Sequence, residues 1–228
     1  GGLRWREAVA FSLQPRGLLL TFLPSYGENL AARFATPAFG EYVGYIGVIA
    51  LLLAGWGVLA ARGEAAETAR ARRVGPWGVA LALTVVGATL ALGAYNPLYL
   101  LLVRFVPGFD LFRAPARWLM LYGFGASVLA AYGAAALSAA TPHFIWPRPR
   151  RTGRRLAVAW LLVVLLAVQH WPGPRTWLIW LAAALAVGMI ARLRLSPAVR
   201  SALLLAALLA ELTLAADVLD HRRPTAPQ

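Results

Sequence analysis

The chain has 228 residues, of which 60% are hydrophobic and 14% charged, against about 25% charged in an ordinary soluble domain. With a mean hydropathy of +0.65, it carries more apolar surface than one water-soluble globule can bury. All 22 basic residues are arginine and oppose nine acids, for a net charge of +13. Long uncharged runs separate these arginines into clusters, which is a membrane pattern rather than a nucleic-acid-binding one. The absence of cysteine excludes a disulfide framework, a thiolate metal site and a cysteine nucleophile. No basic start, short apolar core and cleavage site follow Gly1 and Gly2, so a secretory signal is not evident. With the polar, Pro-rich end from Arg223 to Gln228, this reads as part of a longer chain.

The expected fold is all-α: a polytopic membrane bundle of about six transmembrane helices with short interfacial helices. Residues 1–41 form an extracytoplasmic or interfacial segment, because the apolar stretch from Gly17 to Leu23 is far short of the roughly 20 residues that span a bilayer. The bundle occupies 42–220, with spans near 42–61, 77–94, 118–140, 156–171, 176–191 and 201–219, and 221–228 begins an extracytoplasmic linker. The fourth and fifth runs meet at Pro172-Gly173-Pro174-Arg175, which breaks helix and forces a reversal.

Arginine placement sets the orientation, since short cytoplasmic loops keep positive charge. The first, third and fifth connections hold Arg62, Arg70, Arg72 and Arg73, then Arg148, Arg150, Arg151, Arg154 and Arg155, then Arg192, Arg194 and Arg200. The N-terminal segment, the 95–117 loop and the C-terminus therefore belong outside the cytoplasm, in a multi-pass membrane protein. Trp77, Trp118, Trp160, Trp171 and Trp177 lie near span ends, where interfacial aromatics concentrate. Gly123, Ser127, Ala131 and Ala135 recur every four positions, a smooth stripe suited to close helix packing.

The loop 95–117 holds the most chemistry. Asn96 can cap a helix starting at Pro97, with Leu98, Leu101, Leu102 and Phe105 at i, i+3, i+4 and i+7 until Pro107-Gly108 stops it. Such a helix is too short to cross and should lie along the interface, where it suits an amphiphilic substrate. Asp110, Arg113 and Arg117 follow. If the next span begins near Ala114, its free amides and dipole adjoin two guanidinium groups, an anion site in outline. The structural alternative pairs Asp110 with one arginine and lets the other reach lipid headgroups.

Glu28 and Glu41 could act as general bases or hold a cation, or be solvated loop carboxylates. Glu211 falls mid-span, where a carboxylate costs about 2.5 to 3.5 kcal/mol, so it should face the bundle or a wet cavity. It serves proton coupling, or as a protonated acid it bonds a neighbouring helix. Asp217, Asp220, Arg222 and Arg223 read as an interfacial anchor. His143, His170 and His221 lack ligand spacing, so no histidine metal centre is expected. The cluster from Arg148 to Arg155 is retained by anionic inner-leaflet lipid.

The order LLLTFLPSYG, EYVGYIGVIALLLA, NPLYLLLVRFVPGFDLFRAPARW and AELTLAADVLDHRRPTAP resembles the YfhO-like bacterial membrane proteins, relatives of the GT-C glycosyltransferases that use polyprenyl-phosphate sugars. PGFDLFRAPAR is the distinctive part. The resemblance implies a later membrane portion of a larger protein, followed by an extracytoplasmic tail. It also implies a catalytic acid in the first outside loop, upstream of Gly1, so no catalytic residue carries over. Arg113 and Arg117 match the motif's arginines and are candidates to contact lipid-linked phosphate, with Asp110, Glu28 and Glu41 in support. The cofactor stays unknown: a divalent cation fits such chemistry, but no ligand set is evident. Partners are membrane lipids, a polyprenyl-phosphate-linked sugar and the rest of the protein's own chain, with no nucleic acid. A proton-coupled transporter or lipid flippase working through Glu211, and a noncatalytic scaffold, are the alternatives.

Overall fold

The computed structural model describes residues 4–67, 75–139 and 172–216. Every regular element among them is helical. An N-terminal arm holds the short helices α1 (Trp5–Ala8), α2 (Leu18–Phe22) and α3 (Leu30–Phe34). The bundle follows: α4 (Val48–Glu67), α5 (Pro76–Ala91), the short α6 (Pro97–Phe105), α7 (Leu119–Ala139), α8 (Pro174–Arg192) and α9 (Pro197–Ala216).

Among the described residues, three helices are long and apolar enough to cross a bilayer: Pro115–Ala139, which joins a 3-10 turn to α7, then α8 and α9. At about 1.5 Å per residue each covers roughly the 30 Å hydrocarbon thickness. The apolar part of α4, Val48–Ala61, and α5 are shorter. The expected span 156–171 lies outside the described residues. So do Trp160 and Trp171, the three histidines, the cluster from Arg148 to Arg155, the acids Asp217 and Asp220, and the linker 221–228.

Exposed apolar residues clothe these helices. On α8, Leu178, Leu181, Leu185 and Met189 form an outward stripe, with Leu178 66% exposed. Val79, Val85 and Val86 do the same on α5. A continuous apolar face of this kind is unfavourable in water and at home in hydrocarbon.

Helix α7 is central, packed by α4 on one side and α5 on another. The packing stripe differs from the expected one. Ser127, Ala131 and Ala135 are exposed and Gly123 is half-buried, whereas Gly125, Leu129 and Gly133 are buried. At the crossing of α4 and α7, a Cβ on Gly133 would collide with the Leu53 carbonyl, and one on Gly57 with the Leu129 carbonyl and the Gly133 amide. Only reciprocal glycines allow backbones this close. Alanine and serine spacing could not reveal which face makes that contact.

The arm packs against the bundle: within the apolar stretch from Gly17 to Leu23, Leu19, Leu20 and Thr21 are buried. Phe22 meets Tyr122 of α7 with ring centroids 4.5 Å apart. The arm is also stitched to the start of α8. The Tyr26 amide donates to Thr176 Oγ1 at 3.1 Å and the Trp180 indole donates to the Pro24 carbonyl at 3.0 Å.

These contacts define two ends of the bundle. The arm, the segment 92–118 and the starts of α4, α7 and α8 share one, the arm end. The other is the turn end, which holds the last turn of α7 and the turn between α8 and α9.

Candidate functional site

Asn96 caps α6, its side chain accepting the Leu98 amide at 3.0 Å, and Pro97 fills the first helical position. The helix stops at Phe105, and Gly108 takes a left-handed φ of 81°. Leu98, Leu101 and Phe105 point outward, Phe105 being 68% exposed, while Tyr99 is fully buried. Phe109 stacks on Trp118 at 5.9 Å. This aromatic contact folds residues 106–112 back over the start of α7 and leaves the apolar stripe of α6 unpartnered.

Ala114 adopts φ +62°, and Pro115 opens the 3-10 turn that runs into α7. The first amides there are occupied: Ala116 N–H donates to the Phe11 carbonyl at 3.2 Å and Arg117 N–H to the Ala114 carbonyl at 3.0 Å. The helix start therefore offers fewer free donors than the sequence suggested. What faces outward is side-chain charge. Arg113 is exposed, and Asp110, half-buried, forms no ion pair with Arg113 or Arg117. The structural alternative, Asp110 paired with an arginine, is not seen among the described residues.

Arg117 pairs with Glu41 instead. Its Nε donates to Glu41 Oε2 at 3.0 Å and its Nη2 to Oε1 at 2.9 Å. This side-on fork fixes the guanidinium plane and leaves the Nη1 edge open. Hydrogen bonding from Arg117 holds the Glu41 carboxyl below its ordinary range, which weakens it as a base. The pair borders a groove of about 630 Å³ between the arm and α7. Gly44, Leu119, Met120, Gly123 and Phe124 line its apolar wall. Charge thus stands at one edge and hydrocarbon-facing side chains along the rest. An amphiphile with an anionic head fits such a surface.

Glu28 is elsewhere. Its Oε2 pairs with Arg33 Nε at 3.2 Å, and its Oε1 accepts the Gly173 amide at 2.8 Å. Glu28 thus joins α3 to the start of α8.

Glu211 is 4% exposed and accepts three hydrogen bonds. The Tyr26 hydroxyl donates at 2.8 Å, the Ile49 amide at 2.9 Å and the Val48 amide to the same carboxylate. Val48 and Ile49 open α4, so Glu211 caps a neighbouring helix at the positive end of its dipole. Gly47, with φ +94°, clears the way, since a Cβ there would stand 3.0 Å from Glu211 Oε2. Burial, and then the bond to Glu211, raise the Tyr26 hydroxyl above the ordinary tyrosine range.

Arg200 and Tyr26 carry weight that the sequence reading did not assign. Arg200 is 3% exposed and donates to the carbonyls of Leu137, Ser138 and Leu193. A signal was present. Arg200, Leu204, Glu211 and Ala215 recur at i, i+4, i+11 and i+15, one buried helix face. No cluster of potential metal ligands occurs among the described residues. Comparison with protein-family models, curated proteins and solved structures finds no match.

Proposed function

We propose that this chain is the membrane-embedded part of a GT-C-like glycosyltransferase of the bacterial cytoplasmic membrane, taking sugar from a polyprenyl-phosphate donor at the outer face. The observation that carries this reading is the groove whose charged edge is Arg117 held by Glu41 and whose wall is Met120, Gly123 and Phe124. Donor phosphate engages the open guanidinium edge while the polyprenyl tail follows the apolar wall into lipid. Arg113, exposed and unpaired among the described residues, adds positive potential beside it. Both arginines stabilise charge on the departing phosphate, the term most useful in glycosyl transfer from a phosphate leaving group. An acid outside this chain takes the acceptor proton. This scheme needs the outer-face orientation and about six crossings. In support, α7 ends beside Arg200 at the turn end while α8 begins beside Glu28 at the arm end.

To test it, Arg113→Ala and Arg117→Ala are combined in the full protein, and sugar transfer from a polyprenyl-phosphate donor is assayed in proteoliposomes. A rate loss of about 100-fold or more is expected if both groups meet the leaving phosphate. Unchanged turnover in a correctly inserted double variant removes them from the mechanism. The described partners of Glu211 all donate to it, which fits a helix cap.

A further inference from the structure

Residues 97–113 form a lip at the arm end, made of α6 and the fold-back that Phe109 pins on Trp118. Along it Leu98, Leu101, Phe105, Leu111 and Phe112 are each at least half exposed. An apolar patch of this extent marks contact with another apolar body. The neighbouring helix sets its depth: Pro115, two residues beyond Arg113, opens the 25-residue apolar helix Pro115–Ala139. The lip therefore stands where a helix able to cross a bilayer has its end. Charge then narrows the partner. Asp110 is the only acid between Tyr95 and Trp118, and it forms no ion pair among the described residues. Arg104 is exposed three residues after Leu101, so the two adjoin on the outward side of α6. It has no carboxylate within ion-pair reach among the described residues, and its guanidinium carbon lies 6.0 Å from the Phe105 ring centroid.

We infer that this lip seats in the leaflet at the arm end and selects anionic phospholipid, with Arg104 on a headgroup phosphate and Phe105, Leu111 and Phe112 among the upper acyl-chain carbons. A guanidinium binds phosphate oxygens with paired hydrogen bonds. A zwitterionic headgroup sets its own cation against that phosphate, so an arginine without a carboxylate gains more from a headgroup of net negative charge. Arg104 and Phe105 divide the work at one point of the helix: the ring enters the chains while the guanidinium turns back to the headgroups. Arg113, exposed at the far end of the lip, adds to the same potential. This surface is distinct from the Arg117 groove. It depends neither on sugar transfer nor on which side of the membrane the arm end occupies.

The test uses the full chain, which has no cysteine of its own, with a bimane label at Leu111→Cys on the lip or at Leu185→Cys on the exposed stripe of α8 as a reference. Nanodiscs contain phosphatidylcholine and phosphatidylglycerol in equal parts, and one lipid or the other carries brominated acyl chains that quench the label on contact. Brominated phosphatidylglycerol should quench position 111 at least about threefold more strongly than brominated phosphatidylcholine, with no such preference at position 185. Arg104→Gln should abolish the preference at 111, and Arg104→Glu should reverse it. Arg104 is exposed, so both variants should fold, and unchanged quenching at position 185 checks their insertion. Equal quenching by the two lipids overturns the inference, as does a preference that survives Arg104→Glu. Quenching by aqueous iodide in place of either lipid would put the lip in water. Protection from lipids and iodide alike would mean that protein covers it, a second copy or another part of the chain. Either result also overturns the inference, whereas failure of sugar transfer bears only on the proposed reaction.

Discussion

Arg200 and Glu211 stand about three turns apart on one face of α9, and each closes the end of a different helix. The arginine donates to the Leu137 and Ser138 carbonyls at the end of α7, and the glutamate accepts the Val48 and Ile49 amides at the start of α4. Both charges match the sign of the dipole they meet. Helix ends inside an apolar bundle have no water to satisfy them. A single helix carrying one charge of each sign therefore fixes where α4 begins and α7 stops, and so aligns the groove at the arm end.

Replacing Glu211 tests that arrangement. Glu211→Leu leaves the Tyr26 hydroxyl and two backbone amides without an acceptor, at a cost of about 3 kcal/mol or more. Glu211→Gln keeps one carbonyl acceptor and should lose about half as much. Thermal unfolding in a single detergent compares the two variants, and an equal small loss in both would mean that the carboxylate does not cap α4.

The opposite end gives a companion measurement. Arg200→Met should cost about 2 to 4 kcal/mol by orphaning the last carbonyls of α7. Because Arg200 and Glu211 lie about 16 Å apart along the helix and cap different helices, the double variant should be additive within about 0.5 kcal/mol. A larger coupling energy would show that the two caps are linked through movement of α9.

Glu41 and Arg117 respond to pH in a defined direction. Since the folded-state Glu41 carboxyl lies below its ordinary value of 4.5, the pair's stabilisation is present above that value and fades as pH falls through the depressed one. Arg117→Ala should return the Glu41 titration toward 4.5, read by infrared difference titration with isotope-edited glutamate. Glu41→Gln should release the guanidinium and tighten binding of a polyprenyl phosphate. Weaker binding in that variant would instead mean that orientation by Glu41 outweighs its competition for Arg117.

The crossing of α4 and α7 depends on two absent side chains. Gly133→Ala places a Cβ against the Leu53 carbonyl and should destabilise by about 1 to 3 kcal/mol as the helices separate. Gly123→Ala meets nothing within 4 Å and should be neutral or slightly stabilising through helix propensity. Unfolding midpoints that rank these two variants the other way would contradict the packing face described above.

That pair of glycines also marks where sequence reasoning reaches its limit. Helical class, the Asn96 cap, the stop after Phe105 and the start of the next helix at Pro115 were legible, because each is set by local backbone chemistry. The burial of Glu211 was legible from its cost in hydrocarbon. Its partners were not: Tyr26 and the start of α4 lie more than 160 residues away, and no local pattern encodes such a pairing. The same holds for Arg117 with Glu41 and for Glu28 with Gly173. The face of α7 was misread because an Ala/Ser/Gly stripe every fourth residue fits two sides of that helix, and only the backbone crossing at Gly57 selects one.

The orientation can be read with single cysteines, since the chain has none of its own. Arg113 is exposed beside the start of α7, and Ser196 is exposed in the turn before α9, at opposite ends of the bundle. In intact cells a membrane-impermeant maleimide should label Arg113→Cys freely and Ser196→Cys only after permeabilisation. The reverse pattern would turn the Arg117 groove toward the cytoplasm and remove it from outer-face chemistry. Equal labelling of both in intact cells would mean that the exposed leucines of α8 do not sit in hydrocarbon, since a bilayer around that stripe must separate the two ends.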